Sequence, residues 1–257
     1  MVSKRDRLLA SLPAALRVPA FYYLQKLLGC AEQELSNLHR LVPRGTVAID
    51  VGANQGMYVY PLSRLAVRVE AFEPLPFCAD FLERSRANLT VHRIALSDHE
   101  GIMTLHVPLI NGIRHSGLAT FQAVRGPQEF LDVPVRTLDS FHFSNVGLIK
   151  IDVEGHEHAV LRGAEETLRR ERPNVLIEIE QRHHVDPMEH IFAAMATYGY
   201  DGFFLQNDDF RPLSEFSYES HQAPYLDDVK KGNDALIRGK YINMFFFRPK
   251  EGARPLG

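Results

Sequence analysis

The stretch Thr46-Val47-Ala48-Ile49-Asp50-Val51-Gly52-Ala53-Asn54-Gln55-Gly56 decides the fold. Val47–Val51 is a short, mostly β-branched run bounded by a turn, the mark of a buried strand. The turn carries Gly52 and Gly56, and Met57–Leu65 then reads as a helix. Glycine between a strand and a helix lets the backbone approach a ligand and take dihedrals that other residues avoid. In an open α/β sheet such a turn lies at the carboxyl end of its strand, where nucleotide-like ligands bind.

The alternation continues downstream. Arg68–Phe72 predicts a second strand, Phe77–Asn88 a helix closed by Asn88, and Val91–Ile94 a third strand. Ile102–Val107 and Leu131–Val135 predict strands flanking a long loop, Pro108–Phe130. Strand Val146–Asp152, helix Glu157–Arg170, strand Asn174–Glu180 and helix Met188–Tyr198 follow, with strands again at Gly202–Leu205 and Tyr241–Arg248. The segment 206–240 between those last two is polar and irregular. This order predicts βαβ units, hence an α/β fold with a parallel sheet covered by helices on both faces. Upstream, Leu8, Leu12, Leu16, Phe21 and Leu24 keep a helical period that Pro13 and Pro19 interrupt. The expected organisation is a helical appendage over 1–42, a main domain over 43–250 and a tail over 251–257.

Composition narrows the function. With 257 residues, 45% hydrophobic and 24% charged, the chain can build a sizeable core. Its 29 Lys+Arg against 32 Asp+Glu lack the basic excess of a nucleic-acid binder. No apolar run reaches the ~20 residues of a membrane-spanning helix. Lys4, Arg5 and Arg7 ahead of Leu8–Leu16 superficially resemble a signal peptide, but Asp6, Pro13 and Arg17 break the pattern. The appendage is instead expected to cover an acceptor site or to support a homodimer. Cys30 and Cys78 have no metal-ligand spacing and read as free thiols in a reducing, cytoplasmic setting.

The turn itself argues about the ligand. Asn54 stands where a dinucleotide fingerprint has its second glycine, and Asp50 would repel a phosphate; it suits an ammonium instead. Glu73 ends the second strand about twenty residues beyond Gly52, the position of an acid that takes ribose hydroxyls. A glycine turn and a strand-end acid without a pyrophosphate loop specify a nucleoside with an amino-acid tail, S-adenosylmethionine. At the third strand's end, Leu96 can flank an adenine ring and Asp98 can accept from its amino group. The fourth strand ends in Lys150-Ile151-Asp152-Val153-Glu154-Gly155-His156-Glu157. Asp152 and Glu154 alternate and so share a face. His156 is a base candidate by its intrinsic pKa, with Asp152 and Glu154 as alternatives if burial raises theirs. A Mg²⁺ route through Asp152, Glu178 and Glu180 is possible, but proton abstraction without metal is the favoured expectation. His183 and His184 read as surface loop.

These segments, together with Asn243-Met244-Phe245-Phe246-Phe247, resemble the FkbM-type methyltransferases from about Thr46 to Arg248. The resemblance implies a class I, Rossmann-like, doubly wound seven-stranded sheet whose last strand is antiparallel. It also implies S-adenosylmethionine-dependent O-methylation of a hydroxyl on a sugar, glycan or secondary metabolite. On that footing Gly52, Asn54 and Gly56 hold the methionine end, Glu73 the ribose and Asp98 the adenine side, while Asp152, Glu154 and His156 carry catalysis. Two rivals remain. A nucleotide-sugar or NAD-binding oxidoreductase is opposed by Asp50 and Asn54, and a non-catalytic cofactor-binding scaffold by the acids of the fourth strand.

Overall fold

A computed structural model describes residues 4–29, 33–123, 125–231, 237 and 239–250. Cys30 and the tail 251–257 lie outside the described residues. The strands are β1 (Val47–Val51), β2 (Arg68–Phe72), β3 (Leu89–His92), β4 (Ala95–Leu96), β5 (Gly101–Ile110) and β6 (Ile113–Arg114). They continue with β7 (Gln128–Arg136), β8 (Val146–Ile151), β9 (Asn174–Glu178), β10 (Tyr200–Gln206), β11 (Asp209–Pro212) and β12 (Met244–Pro249).

Eight of these form one sheet in the order β11-β10-β12-β9-β8-β1-β2-β3. β3, β2, β1, β8 and β9 run parallel. β12, last in the chain, is antiparallel to both β9 and β10. Seven strands thus make the expected doubly wound sheet, and β11 adds an eighth by folding back on β10. Every residue of β1 and β8 is buried, as a strand covered on both faces requires. One face of the sheet packs Ile49, Ile151, Val160, Leu168, Ile177 and Phe245. The other packs Ala48, Leu62, Val69, Leu148, Leu176 and Phe246. The order reverses between β1 and β8, so a crevice opens beyond their carboxyl ends.

The expected loop Pro108–Phe130 includes the ends of β5 and β7 and the short strand β6. β5 and β7 pair antiparallel from Gly101 opposite Val135 to Pro108 opposite Gln128. With β4 and β6 they form a separate four-stranded sheet, β4-β7-β5-β6. Leu105, Val107, Val133 and Val135 line its inner face, against which Leu75, Ala119 and Phe121 pack. This sheet stands over the carboxyl end of the large one.

Two helices are shorter than their periodicity suggests. The one starting at Pro76 ends at Leu82, because Glu83 is extended and Arg84 has φ +58°. Asn88 closes a different helix, donating to the carbonyls of Ser63 and Ala66. Glu157–Arg170 divides into Glu157–Arg162 and Glu165–Glu171. The carboxylate of Asp139 accepts from the backbone N–H groups of Glu166 and Thr167, so the second piece begins on a cap supplied from another part of the chain. At the N-terminus, Val18 and Phe21 of helix Ala14–Leu27 are buried with Phe81 and Leu82. Among the described residues no helix is long and apolar enough to cross a membrane.

Candidate functional site

The crevice is a narrow slot opening into a wider basin. The slot, about 70 Å³, has apolar walls from Val51, Phe72, Leu96, Leu105 and Phe121, with Glu73 at its edge. The basin, about 670 Å³, is polar: Asn54, Gln55, Arg114, His115, Asp152, Glu154 and Glu178 reach it. Gly52, Asn54, Ser116, Gly117, Asp152 and Glu154 belong to both and form the junction.

The floor of the junction depends on Gly52. Its φ is +78°, and a Cβ there would lie 1.9 Å from the Asp152 carbonyl oxygen. Only glycine lets the β1 turn and the end of β8 approach this closely. Gly56 has another role: a Cβ there would strike Leu82 and Val18, and it lines neither cavity. Expected at the methionine end of a cofactor, it instead packs the turn against two helices. Asn54, at φ +46°, does face both cavities, and its Oδ1 accepts from Ser116 Oγ at 3.1 Å.

Glu73 is buried at the slot's edge. Its Oε2 accepts from the Asn54 N–H at 2.7 Å and its Oε1 from the Leu75 N–H at 2.8 Å. Burial pushes the carboxyl up to about 7, and the two backbone donors offset only part of that shift. Each oxygen keeps a further lone pair for a donor in the slot.

Asp50 does not reach the ligand space. It has no exposed surface and sits 3.3 Å from Lys150 Nζ, an ammonium supplied by the chain itself. Lys150 is also buried, and its Nζ donates to Asp152 Oδ2 and to the Gly52 carbonyl, each at 3.2 Å. A charge this deep needs such partners, and the arrangement corrects the expectation that Asp50 receives a cofactor ammonium.

Two further expectations change. Leu96 lines the slot, but Asp98 lies outside it. The Asp98 carboxylate is bound by His99 at 2.8 Å and by Arg162 at 3.0 and 2.6 Å, and these partners hold it well below the usual carboxylate range. Arg162, on the first turn-pair of helices after β8, takes the place proposed for adenine. His156 also lies outside both cavities. Its Nε2 meets Ser97 Oγ at 2.9 Å and its ring packs on Phe121 at 4.8 Å, so it buttresses the slot wall from behind. Burial holds its imidazole below the ordinary histidine value.

Glu154 is the acid that the junction singles out. It has φ +51°, a conformation costly for a residue with a side chain. Thr120 Oγ1 donates to its carbonyl at 2.5 Å. Its Oε2 lies 3.0 Å from His183 Nε2. The next residue, Gly155, has φ +96°, and a Cβ there would lie 2.5 Å from the His183 carbonyl oxygen. The backbone is therefore shaped to bring His183 onto Glu154. Burial, and then the neighbouring Asp152 and Glu180 charges, raise the Glu154 carboxyl well above its usual value.

His183 and His184, expected in a surface loop because a His-His pair in a polar turn carries no spacing signal, instead lie half-buried beside Glu154 and Glu157. Ser116, Gly117 and Phe121 were missed for another reason: the second sheet delivers them from outside the main fold's motifs. Glu178 reaches the basin and accepts from Asn243 Nδ2 at 2.6 Å. Glu180 is committed elsewhere. Burial raises its carboxyl, but the Arg182 ion pair and the Tyr241 hydroxyl outweigh this and leave it lowered. Among the described residues no three His, Cys, Asp or Glu side chains converge as a metal-ligand set.

Comparison with known proteins shows the family. The model of the methyltransferase FkbM domain matches residues 50–201, more than half of the chain. A search of curated proteins gave no match. Among solved structures, a methyltransferase FkbM from Methylobacillus flagellatus KT aligns with TM-score 0.47 and 14% identity. That alignment covers 94% of this chain but 57% of the other, so the present chain spans little more than half of that protein. A candidate methyltransferase from Streptococcus mutans in complex with SAH aligns with TM-score 0.44 and 9% identity, covering 84% of this chain and 94% of that one. An rRNA methylase from Streptococcus thermophilus aligns with TM-score 0.44 and 11% identity, covering 85% and 95%.

Proposed function

The chain belongs to the FkbM methyltransferase family, and from that premise we propose that it is an S-adenosylmethionine-dependent O-methyltransferase acting on a hydroxyl of a sugar, glycan or secondary metabolite. The residues present suit such a cofactor. The slot offers apolar faces for a flat base and a buried carboxylate, Glu73, for ribose hydroxyls. Asp152 and Glu154 at the junction offer carboxylate partners to the ammonium of an amino-acid tail. When bound, S-adenosylmethionine supplies a methyl group on a sulfonium, a good leaving group.

A sugar hydroxyl is protonated near neutral pH, so the chain must remove that proton. Glu154 carries the reading. It is a strained, half-buried carboxylate with a raised pKa at the junction of the two cavities, as a general base needs. The hydroxyl proton passes to its free carboxylate edge, while the other oxygen lies beside His183. Asp152, engaged by Lys150, orients the hydroxyl as an acceptor.

The test is Glu154→Gln, assayed for methyl transfer and for S-adenosylhomocysteine binding on the same sample. Turnover is expected to fall by ~10²–10⁴-fold with cofactor affinity within several-fold of wild type. Retained turnover in a folded variant removes Glu154 as base.

A further inference from the structure

A third hollow adjoins the basin. It encloses about 280 Å³ between helix Lys4–Ala10, the start of helix Pro76–Leu82 and the second sheet. Its walls are Leu75, Phe77, Val107 and Leu131, and its rim is polar. Four rim residues, Asp6, Gln55, Arg114 and Ser116, also line the basin, so the two spaces are continuous. Arg114 is held there by Glu129 at 2.6 Å.

We propose that this chamber receives the apolar arm of an amphipathic acceptor whose hydroxyl-bearing end lies in the basin beside Asp152 and Glu154. The proposal rests on the methyl-transfer reading and adds the class of acceptor. Three observations carry it. The chamber shares Leu75 and Ser116 with the slot but lacks Gly52, Glu73, Asp152 and Glu154, so it leads away from the groups that suit a ribose. An in-line displacement requires donor and acceptor to approach the reacting centre from different directions, and the chamber's Phe77, Val107 and Leu131 line neither slot nor basin. Finally, a wholly polar acceptor would leave the half-buried Leu75, Phe77 and Leu131 facing water. Burying such surface is the main source of affinity for an apolar group.

Alkyl β-glucosides test this without knowledge of the true acceptor. Calorimetry on the full chain compares methyl and octyl β-glucoside, each with and without saturating S-adenosylhomocysteine. Each methylene taken from water contributes about four-fold in affinity, so octyl β-glucoside is expected to bind more than twenty-fold tighter. It should bind as well to the S-adenosylhomocysteine complex as to the free chain. Phe77→Ser, at a half-buried position, should erase at least five-fold of that advantage while leaving S-adenosylhomocysteine affinity unchanged; Leu131→Thr, which keeps strand propensity, should do the same. Equal binding of the two glucosides overturns the proposal, as does a full octyl advantage in both variants. Displacement of S-adenosylhomocysteine by octyl β-glucoside also overturns it, because the alkyl chain then occupies the slot. Failure of S-adenosylhomocysteine itself to bind overturns the methyl-transfer reading and the proposal with it. Chain-length indifference with intact S-adenosylhomocysteine binding overturns the chamber alone.

Discussion

Glu73 offers a test in which charge and hydrogen bonding can be separated. Its carboxylate already accepts from the backbone N–H groups of Asn54 and Leu75, so Glu73→Ala would leave two donors unpaired and confuse binding with folding. Glu73→Gln is the sharper variant. Its amide oxygen can keep one of those donors, and the other is left facing an NH₂ group, a cost of ~1–3 kcal/mol in stability. A ribose hydroxyl donating to the ionised carboxylate contributes ~1.5–3 kcal/mol, so affinity for S-adenosylhomocysteine should fall roughly 10- to 150-fold. The wild type should also show a pH signature. Burial raises the Glu73 carboxyl to about 7. It is therefore about one-tenth ionised at pH 6 and about nine-tenths at pH 8, and affinity should rise about ten-fold between them if only the ionised form binds. Stability runs the opposite way. A carboxyl raised above its unfolded value favours the folded chain below that unfolded value, and the benefit is lost as pH rises through about 7. Calorimetry at several pH values on both proteins, with melting curves alongside, reads all of this. Equal affinity and an identical pH slope in a folded Glu73→Gln protein would refute the assignment.

Other outcomes follow from the corrected geometry. His156→Ala should keep turnover within several-fold of wild type in a methyl-transfer assay, since its ring faces Ser97 rather than the basin; a loss near that of Glu154→Gln would return it to the catalytic set. Asp98→Asn should leave S-adenosylhomocysteine affinity unchanged by calorimetry, because Arg162 and His99 occupy that carboxylate. Gly52→Ala should lower stability in denaturant melts by about 3 kcal/mol or more, from a left-handed φ and a Cβ driven into the Asp152 carbonyl. Turnover should survive EDTA, with Glu180 held by Arg182 and Tyr241; loss restored by Mg²⁺ but not by NaCl would promote Asp152, Glu178 and Glu180 to ligands.

The sheet was legible where its signals are local. β1 and β8 fall on the apolar runs that mark them, because a strand buried on both faces must be apolar along most of its length. β5 and β7 fall on their predicted strands too, but their pairing into a second sheet was not legible, since it joins residues across a long connection. The site divides in the same way. Gly52, Asn54, Glu73, Leu96, Asp152 and Glu154 line the crevice because strand ends place them there. Asp50, Gly56, Asp98 and His156 stand at equally suggestive positions, yet each is claimed by a partner distant in sequence: Lys150, Leu82, Arg162 and Ser97 in turn. Spacing indicates which end of a strand a residue occupies. It does not indicate which remote side chain reaches it first.

Asp152 and Glu154 show how two acids of like chemistry come to differ. Both line the junction, and two carboxylates so close raise the cost of ionising the second. The chain resolves this with a single buried cation. Lys150 bonds Asp152, and it is anchored in turn by Asp50 and the Gly52 carbonyl, so it cannot swing across to Glu154. Glu154 lies beside an imidazole instead, and burial, followed by the Asp152 and Glu180 charges, raises its carboxyl. Environments that push paired acids apart are how one site assigns different roles to similar groups. Asp50, expected to meet a ligand, therefore acts one step removed. It fixes the lysine that engages Asp152, and so leaves Glu154 as the carboxylate of the pair without an ammonium partner.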